Sequence, residues 1–233
     1  MQNNGKSPAE ICANDSAMKM GQTIHKALEL EVQDEILIET TTEEDRWGLK
    51  IINMLSGYQS LLATGLTREM PVFGFVGDVL VRGVIDELRY EQVQPSKTIH
   101  SNQMPITDFI EHRADYQTKL IDAKSRVRRT VPSESQQQMS KLQLMLYRSL
   151  LQSLVKDGID IARLAEISDF GLETPFSDTF IKRLQSADDH FYDLVSENSN
   201  FLLLWKHVAN QLRQLDGSIC KTLTVVGLRA NKR

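Results

Sequence analysis

Two short apolar runs that each end in a carboxylate constrain this chain most: Gly83-Val84-Ile85-Asp86 and Leu120-Ile121-Asp122-Ala123-Lys124. Val, Phe and Ile dominate from Pro71 to Tyr90, with glycines at 74, 77 and 83. That texture predicts two or three short strands joined by tight turns. Lys119 to Ala123 predicts a further strand, and the polar Glu91–Gln117 stretch, with Pro95 and Pro105, predicts a loop between strands.

Helical spacing surrounds this strand-rich centre. Ser16 caps a helix to Val32 in which Met20, Ile24, Leu28 and Val32 recur every four residues. The Glu- and Thr-rich stretch Glu39–Asp45 interrupts the pattern before a second helix, from about Arg46 to Ala63, which ends near Gly65. After Pro132, Ser133 or Ser135 caps a long helix to about Val155, with Met139, Leu142, Leu146, Leu150 and Leu154 at helical spacing. Ile159–Leu215 reads as mostly helical, with helices over Asp178–Val195 and Phe201–Leu215. The predicted fold is mixed α and β: a small central sheet flanked by helices, with a helical C-terminal third. The expected organisation is a polar N-terminal tail over 1–15, a single domain over 16–215 and a short basic tail over 216–233. At 233 residues the chain suits one large domain.

Nothing in the chain approaches the roughly 20-residue apolar run of a membrane-spanning helix, so no membrane partner is expected. Met1–Asp15 lacks the apolar core of a secretory signal and shows no clear mitochondrial presequence. The two cysteines, Cys12 and Cys220, are far apart and form neither a disulfide framework nor a zinc-ligand spacing. Net charge is −4, yet between Lys119 and Arg148 seven basic residues face two acids, a local +5 within 30 residues. Local field governs phosphate capture more than total charge, so a solvated charged loop and a nucleic-acid face both fit this stretch.

Hydrolysis of a phosphodiester needs neutralised non-bridging oxygens, an activated water and help for the leaving oxygen, which carboxylate-held Mg²⁺ supplies. Asp86 and Asp122 are candidate ligands, and neighbouring strands would bring them together across 36 positions. Alternation puts Asp122 and Lys124 on one face of a strand, where the ammonium can orient water or stabilise developing charge; an ordinary salt bridge at a strand end has the same signature. His25, one turn from Glu29, is a credible further ligand. Gln143 and Tyr147, one turn apart on the capped helix, can present an amide and a phenol to a nucleotide or to Lys124.

The order of these residues is distinctive. Ala17-Met18-Lys19-Met20-Gly21-Gln22-Thr23-Ile24-His25 with Leu28-Glu29-Leu30-Glu31-Val32 comes first. Gly83-Val84-Ile85-Asp86-Glu87-Leu88, Asp122-Ala123-Lys124-Ser125-Arg126 and Gln143-x-x-x-Tyr147 follow. Over residues 17–210 the chain resembles the RecB-like branch of the PD-(D/E)xK nuclease superfamily, and within it the exonuclease V (defects-in-morphology) family. The resemblance implies a restriction-endonuclease-like core, with His25, Asp86, Asp122 and the Ala123 carbonyl as ligands of Mg²⁺ or Mn²⁺. It implies Lys124 as the catalytic lysine and Asp122, Asp86, Gln143 and Tyr147 as its catalytic company. Arg126 and Glu87 become supporting or DNA-contacting positions, and Arg128, Arg129 and Lys141 join Arg126 as the DNA-binding set.

The activity so implied is end-directed hydrolysis of single-stranded DNA by a monomer, in mitochondrial DNA maintenance or repair, with the nucleus as the alternative compartment. Family members hold a [4Fe–4S] cluster on four cysteines, one upstream of the histidine motif and three near the C-terminus. Two cysteines fall short of that number, so the cluster is expected to be absent and the chain to be either a cluster-lacking lineage or a truncated product. The other readings are a non-catalytic DNA-binding protein on the same fold and a metal-dependent hydrolase of other nucleic acids.

Overall fold

The computed structural model describes residues 36–93, 116–126, 133–156 and 158–229, with side chains at all of these except 123–126 and 226–229. The expected helix over 16–32 with His25, Cys12, and the arginines at 128 and 129 lie outside the described residues.

The first described helix, α1 (Glu43–Thr64), starts earlier than its apolar period suggested, because the acidic stretch before it serves as its first turn. Thr42 and Asp45 form a capping box, and Glu43, Glu44 and Asp45 place negative charge at the positive end of the helix. Gly65 closes α1 with φ 78° and donates its N–H to the Leu61 carbonyl; a side chain would strain that left-handed backbone. Trp47, Ile51, Met54, Leu55, Tyr58 and Leu61 form its buried stripe.

Two strands joined by a tight turn are present, the lower of the two expected counts, but β1 (Leu66–Val76) and β2 (Val79–Gln92) are long and form one antiparallel hairpin. The turn is the two-residue Gly77-Asp78, with Gly77 at φ 57°, as tight hairpins favour. Pro71 is tolerated within β1 because β1 is an edge strand. Strand β3 (Tyr116–Arg126) pairs antiparallel with β2, so both ends of the expected 91–117 loop belong to strands, where Glu91 faces Gln117 and Gln92 faces Tyr116. The Tyr90 and Tyr116 rings stack there with centroids 4.9 Å apart.

The segment expected to be a basic tail carries the fourth strand. β4 (Ile219–Arg229) runs parallel to β3, completing a mixed sheet of order β1-β2-β3-β4. Its entry is fixed by the Thr118 N–H donating to the Ser218 carbonyl at 2.8 Å and by a 2.8 Å contact between the two hydroxyls.

Helix α2 (Glu134–Val155) begins at Ser133, one of the two predicted caps, in a capping box with Gln136. Its second half is buried, but Met139 and Leu142 of the predicted apolar stripe are exposed. Ile159–Leu215 is mostly helical as expected, with β4 following it: α3 (Ile161–Ser168), α4 (Asp178–Ala187), α5 (Asp189–Glu197) and α6 (Phe201–Leu212), then a 3₁₀ turn at Arg213–Leu215. The single helix predicted over 178–195 is two, because Asp188 is extended (φ −160°) and its carboxylate caps α5 through the Phe191 N–H.

Successive β1 residues show which helix covers which face. Phe73 meets Trp47 of α1 edge-on at 5.1 Å and Trp205 of α6 at 5.9 Å. The next residue, Gly74, lies under Leu150 of α2. By alternation, α1 and α2 cover opposite faces of the sheet. Among the described residues no helix is long and apolar enough to cross a membrane.

Candidate nuclease site

The register between β2 and β3 places the two sequence-predicted carboxylates. Glu87 lies opposite Ile121 and Leu88 opposite Leu120. The ladder ends at Glu87–Ile121, and Asp86 and Asp122 are the next residue beyond that last pair on each strand. Alternation puts both on the face of Leu88 and Leu120, the face covered by α1. Hydrogen-bonded strands lie about 4.7–4.9 Å apart, and the two carboxylates stand one step beyond the last pair. Oxygen ligands sit about 2.0–2.1 Å from Mg²⁺, so two such carboxylates can reach one ion. Asp122 is only 2% exposed and Asp86 is half-buried.

Ala123 and Lys124 continue β3 beside β4, against Val226 and Gly227, and Arg126 lies against Arg229. Their side chains lie outside the described residues, as do His25, Arg128 and Arg129. Among the described residues no group of three His, Cys, Asp or Glu side chains converges as a metal cage.

Tyr147 is not brought to the carboxylates' face. Its ring lies on the bare backbone of Gly83, where a Cβ would fall 2.5 Å from Cε1 and 2.7 Å from Cζ. Gly83 and Asp86 differ by three positions in a regular strand, so they face opposite ways. Tyr147 therefore ties α2 to the back of the strand that carries Asp86. Gln143 is half-buried one turn earlier on α2, and Lys141 is exposed there.

Glu87 turns inward on that same back face. It is 4% exposed and bonded to Arg68 at 3.0 Å and to Arg89 at 2.7 Å. A carboxylate so enclosed locks β1 to β2 and does not reach a DNA strand. The basic stretch is thinned as well: Lys119 is paired with Glu91 at 2.7 Å, and the Nε of Arg148 is buried.

Residues outside the predicted set frame the front face. Glu69 stands in β1 between Arg68 and Met70, across from Asp86 by the hairpin register, with a left-handed φ of 50°. A non-glycine residue held there costs of order 1–3 kcal/mol. Lys50 of α1 and Arg82 of β2 both lie over the Trp47 ring, Lys50 Nζ 4.4 Å and Arg82 Cζ 5.7 Å from its centroid. Burial, then the neighbouring Arg82, hold the Lys50 ammonium below its usual pKa against an opposing pull from Glu43. Lys50 lies one turn from Trp47 on α1, but nothing in the sequence links Arg82 to either residue, so the pair is not legible before the chain folds.

Residues 9–211 match the family model described as "Exonuclease V - a 5' deoxyribonuclease". The chain belongs to the exonuclease V family. Exonuclease V of Danio rerio is 32% identical over 139 residues, covering 60% of this chain and 30% of the relative. The chain thus aligns with about a third of the length of that curated relative. The matched region of the exonuclease V model includes α1, the β1–β2 hairpin, β3 and α2, and stops within α6, before β4.

Proposed function

We propose that this chain is a divalent-metal-dependent deoxyribonuclease that hydrolyses single-stranded DNA from a 5′ end. The observation that carries the reading is the β2–β3 ladder, whose last pair, Glu87–Ile121, leaves Asp86 and Asp122 as the next residue on each of the two neighbouring strands. Asp86 and Asp122, with His25 and the Ala123 carbonyl, would hold Mg²⁺ or Mn²⁺, which when bound neutralises phosphate charge and acidifies a water.

The chain's own groups divide the remaining work. Burial of Asp122 in the sheet fixes one carboxylate in place, and half-buried Asp86 completes the pair at the surface a strand can reach. Lys124, two residues beyond Asp122 in β3, supplies the cation that orients the attacking water and offsets charge developing on phosphorus. Tyr147 and the Glu87–Arg68–Arg89 ion pairs hold the back of β2, so the Asp86 backbone keeps its place beside Asp122.

The test is end-labelled single-stranded DNA, duplex DNA and RNA incubated with the purified chain, with and without Mg²⁺. Metal-dependent shortening of the single-stranded DNA is expected, abolished by Asp122→Ala and by Lys124→Ala with DNA binding retained. Wild-type cleavage by either variant removes the assignment, and preferential cleavage of RNA moves the chain to another nucleic-acid hydrolase.

A further inference from the structure

We propose that Lys50 and Arg82, set together over the Trp47 ring, form a binding site for a backbone phosphate of the DNA strand that runs to the Asp86–Asp122 pair. The inference rests on the DNA-cleaving reading above and adds a second point of contact to it.

The two cations come from different elements, α1 and β2, yet converge on one ring. Two like charges gain by moving apart, so convergence requires something to hold them. The face of an indole attracts each cation only weakly, and an anion between them would hold both more firmly. Neither makes an ion pair with a described residue, and Glu43, the acid nearest in effect to Lys50, is itself paired with Arg46. The platform is rigid: Trp47 is 2% exposed and packed by Phe73, Phe170 and Phe201 at 5.1, 6.0 and 6.4 Å.

Position gives the site its meaning. Arg82, Val84 and Asp86 alternate onto the same face of β2, and Val84 between them is 40% exposed, so that face is open to a ligand there. Asp86 is four residue steps along the strand from Arg82, about 13 Å at ~3.3 Å per step. Phosphates of one strand are spaced about 3.4 Å apart along a duplex axis and further apart when extended. The separation therefore corresponds to about two to four nucleotides from the phosphate being cut. A guanidinium and an ammonium together suit a phosphodiester, the first as a planar fork and the second as a point charge.

The experiment measures fluorescence anisotropy of labelled single-stranded oligonucleotides in EDTA, where no cleavage occurs. It compares the wild-type chain, the control Lys182→Gln at an exposed position of α4 and the double variant Lys50→Gln/Arg82→Gln, with thermal unfolding confirming that each is folded. The double variant is expected to bind about 5–20-fold more weakly at low salt, its log–log salt slope shallower by about 0.7 for the one phosphate lost. Lys182→Gln keeps wild-type affinity. A neutral methylphosphonate linkage scanned from the 5′ end should weaken wild-type binding at one position and have no effect there on the double variant. Unchanged affinity and slope in a folded double variant overturn the phosphate site, as does a linkage effect that persists without the two cations. Failure of the wild-type chain to cleave with Mg²⁺ present would instead sink the nuclease reading and leave these binding results to stand by themselves.

Discussion

Replacing Gly83 by alanine tests the contact that ties α2 to the site-bearing strand. The new Cβ would stand 2.5 Å from Tyr147 Cε1 and 2.7 Å from both Cζ and the hydroxyl oxygen. Carbon contacts are optimal at about 3.5–4.0 Å, so the ring must retreat by about 1 Å, which a planar ring anchored one turn from Leu150 and Leu151 cannot do alone. Overpacking of this kind costs about 1–3 kcal/mol. For a protein of this size that lowers the unfolding midpoint by about 5 °C near the middle of the range. Urea denaturation of wild type, Gly83→Ala, Tyr147→Ala and the double variant forms a cycle. Tyr147→Ala removes the obstacle, so the double variant should be less destabilised than the sum of the singles by about 1–2 kcal/mol. Additive costs, or a neutral Gly83→Ala, would refute the packing of α2 on β2 through this ring.

Other outcomes follow from named contacts. Burial works to raise the Asp45 carboxyl, but the Ser177 N–H at 2.9 Å and hydroxyl at 2.7 Å, with Thr41 and Thr42, outweigh it and hold the group below the usual carboxylate range. Its stabilisation is therefore complete above the unfolded value of about 3.9 and is lost as pH falls through the folded value. Asp45→Asn should cost about 1.5–3 kcal/mol at neutral pH and flatten the acid limb of the stability curve; an unchanged acid limb would contradict this. Removing Glu87, by Glu87→Ala, leaves Arg68 facing a vacated buried partner and should cost about 3 kcal/mol in denaturant. Arg89→Ala, with Arg89 half-exposed, should cost under about 1 kcal/mol. A chain with two cysteines cannot supply four thiolates, so the purified protein should contain no [4Fe–4S] cluster; stoichiometric iron with visible thiolate–iron absorption would contradict that.

The legible parts of the fold were those whose physics is local. Thr42, Gly65 and Ser133 punctuate α1 and α2 by capping, and a residue one to four positions away is all that such a signal needs. β4 was missed because its partner, β3, lies about a hundred positions upstream, and its Leu223, Thr224 and Val225 alternate too weakly to announce a strand. The segment 178–195 reads as one helix because the apolar spacing of Phe180, Leu184, Phe191 and Val195 runs on across Asp188, whose extended backbone makes the break. At the site, Asp86 and Asp122 were recognisable as types and positions, but their juxtaposition is a matter of register between separate strands, which no single run encodes. Gly83 did carry a readable sign, since a glycine within a strand often marks the close approach of another group, and here that group is Tyr147. Lys50 and Arg82 were invisible because only the fold lays α1 across β2.

The central claim is that Asp86 and Asp122 act as one centre, and single-turnover cleavage of 5′-labelled single-stranded DNA in saturating Mg²⁺ tests it most directly. Groups that act as a unit are grossly non-additive in their effect on rate. Asp86→Ala, Asp122→Ala and the double variant are therefore predicted to lose the same large factor, with the double no slower than either single. Wild-type cleavage by Asp86→Ala, or a double variant slowed by the product of the two single losses, would contradict the shared centre.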